Sequence, residues 1–302
     1  MSKEIWVCGE VLIDLIPRGE KKIAIVGGGP ANTAKALALL GFDSYFIDGI
    51  SSDAYGEKAK AELLYAGVNL KYANFTDKPT CTADVSLDSA GVASYVFAIE
   101  GSATFDFSHD WLPDPLEIKP AVLQIGTLAT IVEPAATILL EWARKVATVA
   151  PIVFDPNVRS SVVSDRVKYQ AAVARWTAIS AVIKVSEDDL AWLYPEREQL
   201  DIAAQWLNEG AALVIITKGS YGLIGITKEG SVTVPGVKVE VADTVGAGDT
   251  VGAIVVEAIV ERGLAALHDE VLREVLTRAA KAASITCSRA GANPPSRAEI
   301  EE

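Results

Sequence analysis

The chain has few of the residues that build disulfide frameworks and zinc sites. Its 302 residues include three cysteines, Cys8, Cys81 and Cys287, and two histidines, His109 and His268. No two cysteines are close in sequence, and the histidines do not stand at the short intervals that zinc ligation needs. We therefore exclude disulfide-rich and zinc-binding classes and expect the cysteines to be small buried apolar side chains.

Positive charge and long apolar runs are also lacking. The chain has 27 Lys and Arg against 40 Asp and Glu, a formal net charge of −13, which opposes binding to nucleic acid or to an anionic membrane. No apolar run approaches a membrane span without a charge or a proline, and the first residues lack a signal peptide. The cytoplasm is the predicted location. Any anionic ligand must then be held by backbone N–H groups, other local donors or metal ions.

The remaining composition is that of a globular protein, with 50% hydrophobic and 22% charged residues. A chain of this length can bury a large core. From about residue 121 onward, short β-rich runs alternate with helical patterns, as in 152–155 followed by 166–176. This alternation predicts a mostly parallel sheet with helices on both faces. Closely spaced runs at 213–217, 223–227 and 231–235 predict an antiparallel edge to it.

One region departs from this alternation. Residues 81–88 alternate small or apolar with polar side chains, a turn signal follows at 89–91, and a second run lies at 93–99. The pattern predicts a hairpin with one wet face. With strands near 11–17 and 22–26, the hairpin predicts a small sheet that projects from the α/β body. A second packing layer within the body is the alternative.

The chain shows no internal repeat, low-complexity tract or long linker. We therefore expect one domain over 1–302, with the strands of the small sheet, about 11–26 and 81–100, inserted in the α/β core. Residues 293–296 read Asn-Pro-Pro-Ser and predict the start of a loosely ordered polar tail.

A glycine-rich turn precedes a predicted helix near the end of the chain. Residues 243–250 read Asp-Thr-Val-Gly-Ala-Gly-Asp-Thr, and an apolar stretch without proline follows. The first N–H groups of a helix lack partners within it and carry partial positive charge, so Gly246, Ala247 and Gly248 predict an anion site. A carboxylate repels a bound anion, so its presence here needs either a cation that screens the pair or a role in taking a proton from a nucleophile, and we interpret Asp249 as a general base. A helix cap is the alternative.

A second glycine cluster lies near the start of the chain. Residues 27–32 read Gly-Gly-Gly-Pro-Ala-Asn, and a helical pattern follows that ends at Gly41. Proline suits the first turn of a helix, and Asn32 has an amide to present to a hydroxylated ligand. Taken alone, the cluster is better explained by a tight strand-to-helix turn that needs small residues.

Together the clusters resemble the two signatures of the ribokinase or PfkB family of sugar and nucleoside kinases, Gly-Gly-x-x-x-Asn and Asp-Thr-x-Gly-Ala-Gly-Asp. The segments between them follow in the family's order, so the resemblance covers nearly the whole chain. Residues 6–14 resemble the family's opening strand, and 154–159 resemble the Asp-x-Asn-x-Arg segment of fructokinases and ketodeoxygluconate kinases. The resemblance implies a ribokinase-like three-layer fold, in which the small sheet is a lid over the sugar and often a dimer contact.

The resemblance also implies roles for individual residues. Those implied for the sugar are Asp14, Gly28, Gly29, Asn32, Asn157 and Arg159. Those implied for ATP are Lys184, Ser186, Thr217, Gly219, Gly222 and Asn293. Glu187 and Asp189 are implied for Mg²⁺, directly or through water, although a charged helix N-terminus explains them equally well. Asp243, Arg289 and Gly291 are implied for a monovalent cation such as K⁺, bound mostly through backbone carbonyls.

The implied reaction is transfer of the γ-phosphate of ATP to a primary hydroxyl of a small sugar, with Asp249 as the base. The residue patterns of these segments are most similar to those of bacterial fructokinases, which implies D-fructose as substrate. Gly49 and Glu100 depart from that pattern, since fructokinases usually carry arginine there. Ketodeoxygluconate kinase, aminoimidazole riboside kinase and ribokinase are the alternatives within the class. A catalytically silent sugar- or nucleotide-binding protein is the alternative outside it.

Overall fold

A computed structural model of the chain describes residues 4–19, 21–87 and 93–302. Within them the strands are β1 (Ile5–Cys8), β2 (Leu12–Arg18), β3 (Lys21–Gly27), β4 (Ser44–Ile47), β5 (Gly49–Ser51), β6 (Asn74–Thr76), β7 (Thr82–Leu87), β8 (Ala93–Ala98), β9 (Val122–Gly126), β10 (Ile152–Asp155), β11 (Val182–Ser186), β12 (Leu213–Thr217), β13 (Leu223–Ile226) and β14 (Ser231–Val234).

Eight of these strands form the central sheet, in the order β14-β13-β12-β11-β10-β9-β1-β4. From β12 to β4 every neighbouring pair is parallel, whereas β13 and β14 are added antiparallel at one edge. The predicted parallel sheet with an antiparallel edge is therefore confirmed. The inner strands are buried on both faces, which explains why their sequences are continuous apolar runs and do not alternate.

Helices cover both faces of the sheet. They are α1 (Gly29–Leu39), α2 (Ala54–Tyr65), α3 (Pro115–Ile118), α4 (Ala135–Val146), α5 (Arg166–Thr177), α6 (Glu187–Leu193), α7 (Gln199–Glu209), α8 (Ala247–Arg262), α9 (Asp269–Cys287) and α10 (Arg297–Glu301). The apolar sides of α1, α8 and α9 pack in one buried cluster, and those of α4, α5 and α7 pack in another. This is the expected three-layer arrangement. Across the described residues, no helix combines the length and apolarity needed to cross a bilayer.

The small sheet, which we call the lid, consists of four strands in the order β3-β2-β7-β8. β2 pairs antiparallel with β3 and parallel with β7, and β7 pairs antiparallel with β8. Its strands come from the two segments that the sequence predicted. The turn predicted at 89–91 falls outside the described residues.

The single strand predicted over 6–14 is wrong, because the segment forms two strands in two sheets. β1 ends at Cys8 in the central sheet, and β2 begins at Leu12 in the lid. Gly9 has a φ of 137°, and an added Cβ there would lie 2.5 Å from the ring of Pro30. The N–H of Val11 donates to Oδ2 of Asp48 at 2.8 Å, which holds the chain away from the central ladder.

The loosely ordered tail predicted from residue 293 is also wrong. Pro294 and Pro295 are buried, and α10 follows them with Ser296 and Glu299 in a capping box. Ile300 is buried in the core, and the guanidinium of Arg297 donates to the backbone oxygen of Leu40 at 3.0 Å. Proline predicted the end of regular structure here, but tertiary packing orders the segment that follows.

Candidate active site

A cavity of about 1090 Å³ lies at the carboxyl ends of the parallel strands, beneath the lid. This edge of a doubly wound sheet is where α/β proteins bind ligands, because loops from several strands converge there. Most predicted residues line it: Asp14, Gly28, Gly29, Asn32, Asn157, Arg159, Lys184, Ser186, Glu187, Asp189, Thr217, Gly219, Gly222, Gly246, Ala247, Gly248 and Asp249. Residues from both ends of the chain thus meet in one space.

The start of α8 supplies the anion-binding turn. Gly246 precedes the helix with a φ of 81°, and within the described residues no side chain caps it. An added Cβ at Gly246 would lie 2.8 Å from Cβ of Ala292, so both backbone conformation and packing require glycine. The sixteen residues of α8 aim their dipole at the cavity from this end. The local geometry is that of an anion site.

Asp249 joins the two glycine clusters. It lies in the first turn of α8, is 8% exposed, and accepts a hydrogen bond on Oδ2 from Nδ2 of Asn32 at 2.9 Å. An added Cβ at Gly29 would lie 3.2 Å from Oδ1 of the same carboxylate. A larger side chain at Gly29 would therefore crowd the base. The carboxylate is fixed by one partner and leaves a second oxygen directed to the space beside Gly29.

The environment makes Asp249 a stronger base than an ordinary aspartate. Burial raises its pKa to about 6, although the charge of Lys184 and the hydrogen bond from Asn32 act in the opposite direction. At neutral pH the side chain is mostly ionised, and its proton affinity is better matched to accepting a proton from a hydroxyl. A helix cap needs no such burial.

A buried ion pair stands beside the anion-binding turn. Nζ of Lys184 lies 2.5 Å from Oδ2 of Asp155, and each side chain is 5% exposed. Burial disfavours the charge of Lys184, but Asp155 and Asp249 outweigh it and hold its pKa above the ordinary value. An added Cβ at Gly248 would lie 3.1 Å from the ammonium. We call Lys184 and the residues from Gly246 to Asp249 the helix side of the site.

The opposite wall, which we call the lid side, consists of Asp14, Asn157 and Arg159 with the apolar Leu12 and Phe97. Nη1 of Arg159 donates to Oδ1 of Asn157 at 2.6 Å and to its backbone oxygen at 3.1 Å. Burial raises the pKa of Asp14 to about 6, and the charge of Arg159 limits the rise. These groups offer a carboxylate, an amide and a cation, which suit a ligand that carries several hydroxyl groups.

Two acids of the site were not singled out from the sequence. Asp155 forms the ion pair with Lys184, and Glu10 lines the cavity with 3% exposure. Burial raises the pKa of Glu10 to about 7, while bonds from Thr127 and the charge of Arg159 act against the rise. Each acid stands at the carboxyl end of an apolar strand of the parallel sheet, and that position was the available signal.

The residues implied for magnesium have another role in the structure. Oδ1 of Asp189 accepts the N–H of Val158 at 2.9 Å, and Oδ2 belongs to a capping box with Ser186. Asp189 is thus the third helical residue of the capping box whose N-cap is Ser186, and both of its carboxylate oxygens already accept backbone N–H groups. Among the described residues, no group of three or more His, Cys, Asp or Glu is placed to hold a metal ion.

The residues implied for the monovalent cation lie outside the cavity wall. Asp243 accepts the N–H of Val245 at 3.1 Å and that of Gly291 at 3.0 Å, so two of the three residues meet. The guanidinium of Arg289 is instead paired with Glu299 of α10. Asn293, implied for ATP, is exposed and also lies outside the wall.

The two positions that depart from the fructokinase pattern, Gly49 and Glu100, are not among the residues that line the cavity. Gly49 begins β5, and an added Cβ there would lie 1.9 Å from the backbone oxygen of Ala103. Arginine does not fit this position in this backbone. Glu100 is exposed just beyond β8. Neither residue is placed to select a ligand directly.

The sequence matches known carbohydrate kinases. Residues 2–299 match the pfkB family carbohydrate kinase. The chain is 37% identical to a fructokinase of Rhizobium leguminosarum bv. trifolii over 280 residues, which cover 89% of this chain and 85% of that one. It is 27% identical to a fructokinase of Escherichia coli over 306 residues, covering 100% and 99% of the two chains.

The fold matches as well. A fructokinase double mutant from Vibrio cholerae O395, solved with fructose, ADP and a potassium ion, superposes with a TM-score of 0.88 at 25% identity, covering 99% of this chain and 98% of that one. A fructokinase from Xylella fastidiosa with bound ATP gives a TM-score of 0.90 at 24% identity, covering 100% and 98%. The second likeness concerns the fold alone.

Proposed function

The chain belongs to the pfkB family of carbohydrate kinases, and from this premise we propose that it is an ATP-dependent fructokinase. The reaction is transfer of the γ-phosphate of ATP to the terminal primary hydroxyl of D-fructose, which gives fructose 6-phosphate. Support for the sugar comes from the fructokinase of Rhizobium leguminosarum bv. trifolii at 37% identity and from the polar, hydroxyl-binding character of the lid side.

The observation that carries the proposal is the hydrogen bond between Asn32 and Asp249, 2.9 Å long and spanning 217 residues of sequence. It holds the proposed base in the first turn of a helix whose free N–H groups would bind the phosphates. A site that only holds phosphate gains nothing from a carboxylate at that point. A phosphoryl-transfer site needs both, because the base takes the proton and the donors stabilise the transferring oxygens.

Asp249 is the base in this mechanism. It accepts the proton of the primary hydroxyl as that oxygen attacks the γ-phosphorus in line with the leaving oxygen of ADP. Asn32 holds the carboxylate in place, and Asp14 with Asn157 and Arg159 orients the other hydroxyls of the sugar. The lid excludes water, which would otherwise accept the phosphoryl group.

The helix side stabilises the charge on the transferring group. The N–H groups of Gly246 and Gly248 would face the peripheral oxygens, since that of Ala247 already donates to the backbone oxygen of Thr244 at 3.3 Å, and Lys184 adds a positive charge held in place by Asp155. Because Lys184 is buried and already paired, it needs no reorganisation when the transition state forms. Its place is at the phosphates, whereas Thr217, Gly219 and Gly222 line the part of the cavity proposed for the rest of the nucleotide.

Magnesium and potassium are part of the proposal. Magnesium would neutralise charge on the phosphates, and with Asp189 engaged as a cap the phosphates, water and Glu187 would supply its ligands. Both carboxylate oxygens of Asp243 already accept N–H groups, so K⁺ would be held mainly by backbone carbonyls of the turn from Arg289 to Gly291. Support for K⁺ comes from the potassium-bound fructokinase of Vibrio cholerae O395.

We include a homodimer formed through the lids and a cytoplasmic location, where ATP is available. Both edge strands of the lid carry an exposed large apolar side chain, Ile23 at 37% and Val96 at 70%. Such side chains on a sheet edge favour association. Light scattering of Val96→Lys is expected to show a monomer; a variant of unchanged mass would contradict the dimer surface.

The experiment for the proposed function is ADP production from Mg-ATP with fructose, ribose, ketodeoxygluconate, aminoimidazole riboside, adenosine and glucose, each with and without K⁺. We expect fructose to give the highest kcat/KM. If another sugar gave the highest kcat/KM, the proposed substrate would be wrong and the proposed phosphoryl transfer would stand. Absence of turnover with every sugar would contradict the kinase mechanism for this panel.

A further inference from the structure

Glu10 is a buried acid of the cavity wall to which the proposed reaction assigns no role. Its side chain is 3% exposed, although it stands in the loop where the chain leaves β1 for the lid strand β2. A buried carboxyl group is costly unless its oxygens have partners. The partners of Glu10 therefore indicate what it does.

Both carboxyl oxygens of Glu10 bind the turn that follows β9. The hydroxyl of Thr127 donates to Oε1, and the N–H of Ala129 donates to Oε2 at 3.4 Å. Thr127 has a φ of 56°, which a β-branched residue rarely adopts, so neighbouring groups must hold it there. The hydroxyl of Thr130 donates to the backbone oxygen of Thr127 at 2.7 Å, and Glu10 holds its side chain.

The turn held by Glu10 reaches the reacting groups. An added Cβ at Gly29 would lie 3.0 Å from Cγ2 of Thr127, 3.1 Å from Nδ2 of Asn157 and 3.2 Å from Oδ1 of Asp249. The methyl of Thr127 thus borders the same small space as the base. The backbone oxygen of Glu10 would lie 2.3 Å from an added Cβ at Gly28, so Glu10 contacts this turn as well.

We propose that Glu10 is a positioning residue for the kinase reaction, which fixes the turn 127–130 against Gly29 and so sets where the sugar lies relative to Asp249. The inference rests on the proposed function for its kinetic consequence, but the contacts themselves do not. Glu10 acts through Thr127 and the glycine turn, because both of its oxygens are already engaged.

Glutamine is the conservative variant for Glu10. Burial raises the pKa of Glu10 to about 7, so the carboxyl group is partly protonated near neutral pH and an amide resembles that form. The amide has an oxygen for the N–H of Ala129 and an NH₂ group for the hydroxyl of Thr127. Glu10→Gln should therefore keep KM for fructose close to the wild-type value, whereas Glu10→Ala should raise it.

The test is a double-mutant cycle on KM for fructose, at saturating Mg-ATP. Glu10→Ala and Thr127→Val should each raise that KM about tenfold, because each leaves a buried polar group without its partner. KM for ATP should stay within about twofold. KM for fructose in the double variant should be no higher than in the single variant with the higher KM, since both substitutions remove the same contact. An unchanged KM, or two effects that multiply in full, would overturn the inference.

Glu257 provides the matched control. It is also 3% exposed, it pairs with Arg278 and Arg297, and it lies outside the cavity wall. Glu257→Gln should lower Tm without raising KM for fructose. If it raised KM as much as Glu10→Ala does, the effect at Glu10 would be general loss of stability, and the positioning role would be refuted.

A crystal structure of Glu10→Ala separates this inference from the proposed function. We expect the turn 127–130 to move away from Gly29, and this result supports the inference whichever sugar the wild type phosphorylates. An unmoved turn would overturn it. Failure of the wild type to phosphorylate fructose would overturn the proposed substrate instead, and the structure would still decide the role of Glu10.

Discussion

The helix side and the lid side of the site are built in different ways. Apart from Lys184 of β11, the helix side is a short local motif, in which Gly246 and Gly248 offer backbone N–H groups and Asp249 follows directly. The lid side assembles Asp14 from β2 with Asn157 and Arg159 from the loop after β10. In the proposed mechanism a local motif carries the chemistry, whereas side chains from separate segments bind the sugar. Variants on the two sides should therefore change different kinetic constants.

The largest effect is expected on the helix side, at the base. Asp249→Asn keeps the size of the side chain and removes its proton affinity, so kcat should fall by about a thousandfold. KM for fructose and affinity for ADP should change little. Tm should be no lower than that of the wild type, since the variant removes a buried charge. Retention of most activity would show that the comparison assigns the chemistry to the wrong residue.

The second effect concerns the backbone of the helix side. Gly246→Ala places a Cβ 2.8 Å from that of Ala292 and forces a φ of 81° on alanine, so we expect kcat to fall by about a hundredfold. Gly252→Ala in the same helix is the control. An added Cβ there has its nearest neighbour at 3.9 Å, so activity should persist and stability should rise by about 0.5–1 kcal/mol. Equal loss in both variants would implicate helix packing in general.

The third effect tests the lid side. Asp14→Asn should raise KM for fructose about tenfold, because an acceptor for a sugar hydroxyl is weakened. KM for ATP and kcat should stay within about threefold. Steady-state kinetics with each substrate varied in turn measures the split. A fall in kcat with unchanged KM would remove the distinction between the two sides.

The smallest effect is a shift in pH dependence. The pKa of Asp249 is raised to about 6 by burial, so kcat/KM should fall about tenfold per pH unit below that value as the base is protonated. Lys184 lowers this pKa, so in Lys184→Met the acidic limb should move to higher pH. Burial also raises the pKa of Asp14 to about 6, so the pH profile of Asp14→Asn shows how much of the acidic limb comes from Asp14. If the acidic limb of the Lys184→Met profile did not shift, Lys184 would have no effect on the pKa of Asp249.

The same pKa value has a consequence for stability. Because the folded pKa of Asp249 lies above its unfolded value, the native state binds the proton more tightly. The contribution of this group to the free energy of unfolding therefore decreases as pH rises from about 4 to about 6. This is opposite in sign to the usual salt-bridged aspartate, and it is expected of a buried functional group.

Sequence reasoning served the helix side better than the lid side, and the difference has a physical cause. The anion-binding turn depends on residues adjacent in the chain, so its glycines and Asp249 were predictable from helix-end physics. The PfkB resemblance, the parallel sheet and the lid were also confirmed. The roles of the individual residues on both sides stay predictions.

What the sequence did not predict depends on the order of strands in the sheet. Asp155 meets Lys184 because β10 and β11 are neighbours, and Glu10 meets Thr127 because β1 and β9 are. Nothing local indicates either contact. The break at Gly9 was missed for a related reason, since Val11 is held by Asp48, which lies beyond β4.

The central claim is tested most directly by the position of the phosphate on the product. We would incubate the protein with Mg-ATP and fructose and identify the phosphorylated carbon by ³¹P and ¹³C NMR, with Asp249→Asn in parallel. We predict fructose 6-phosphate from the wild type and, in the same time, less than about a hundredth as much from the variant. Fructose 1-phosphate, ADP without a sugar phosphate, or equal product from both proteins would contradict the account.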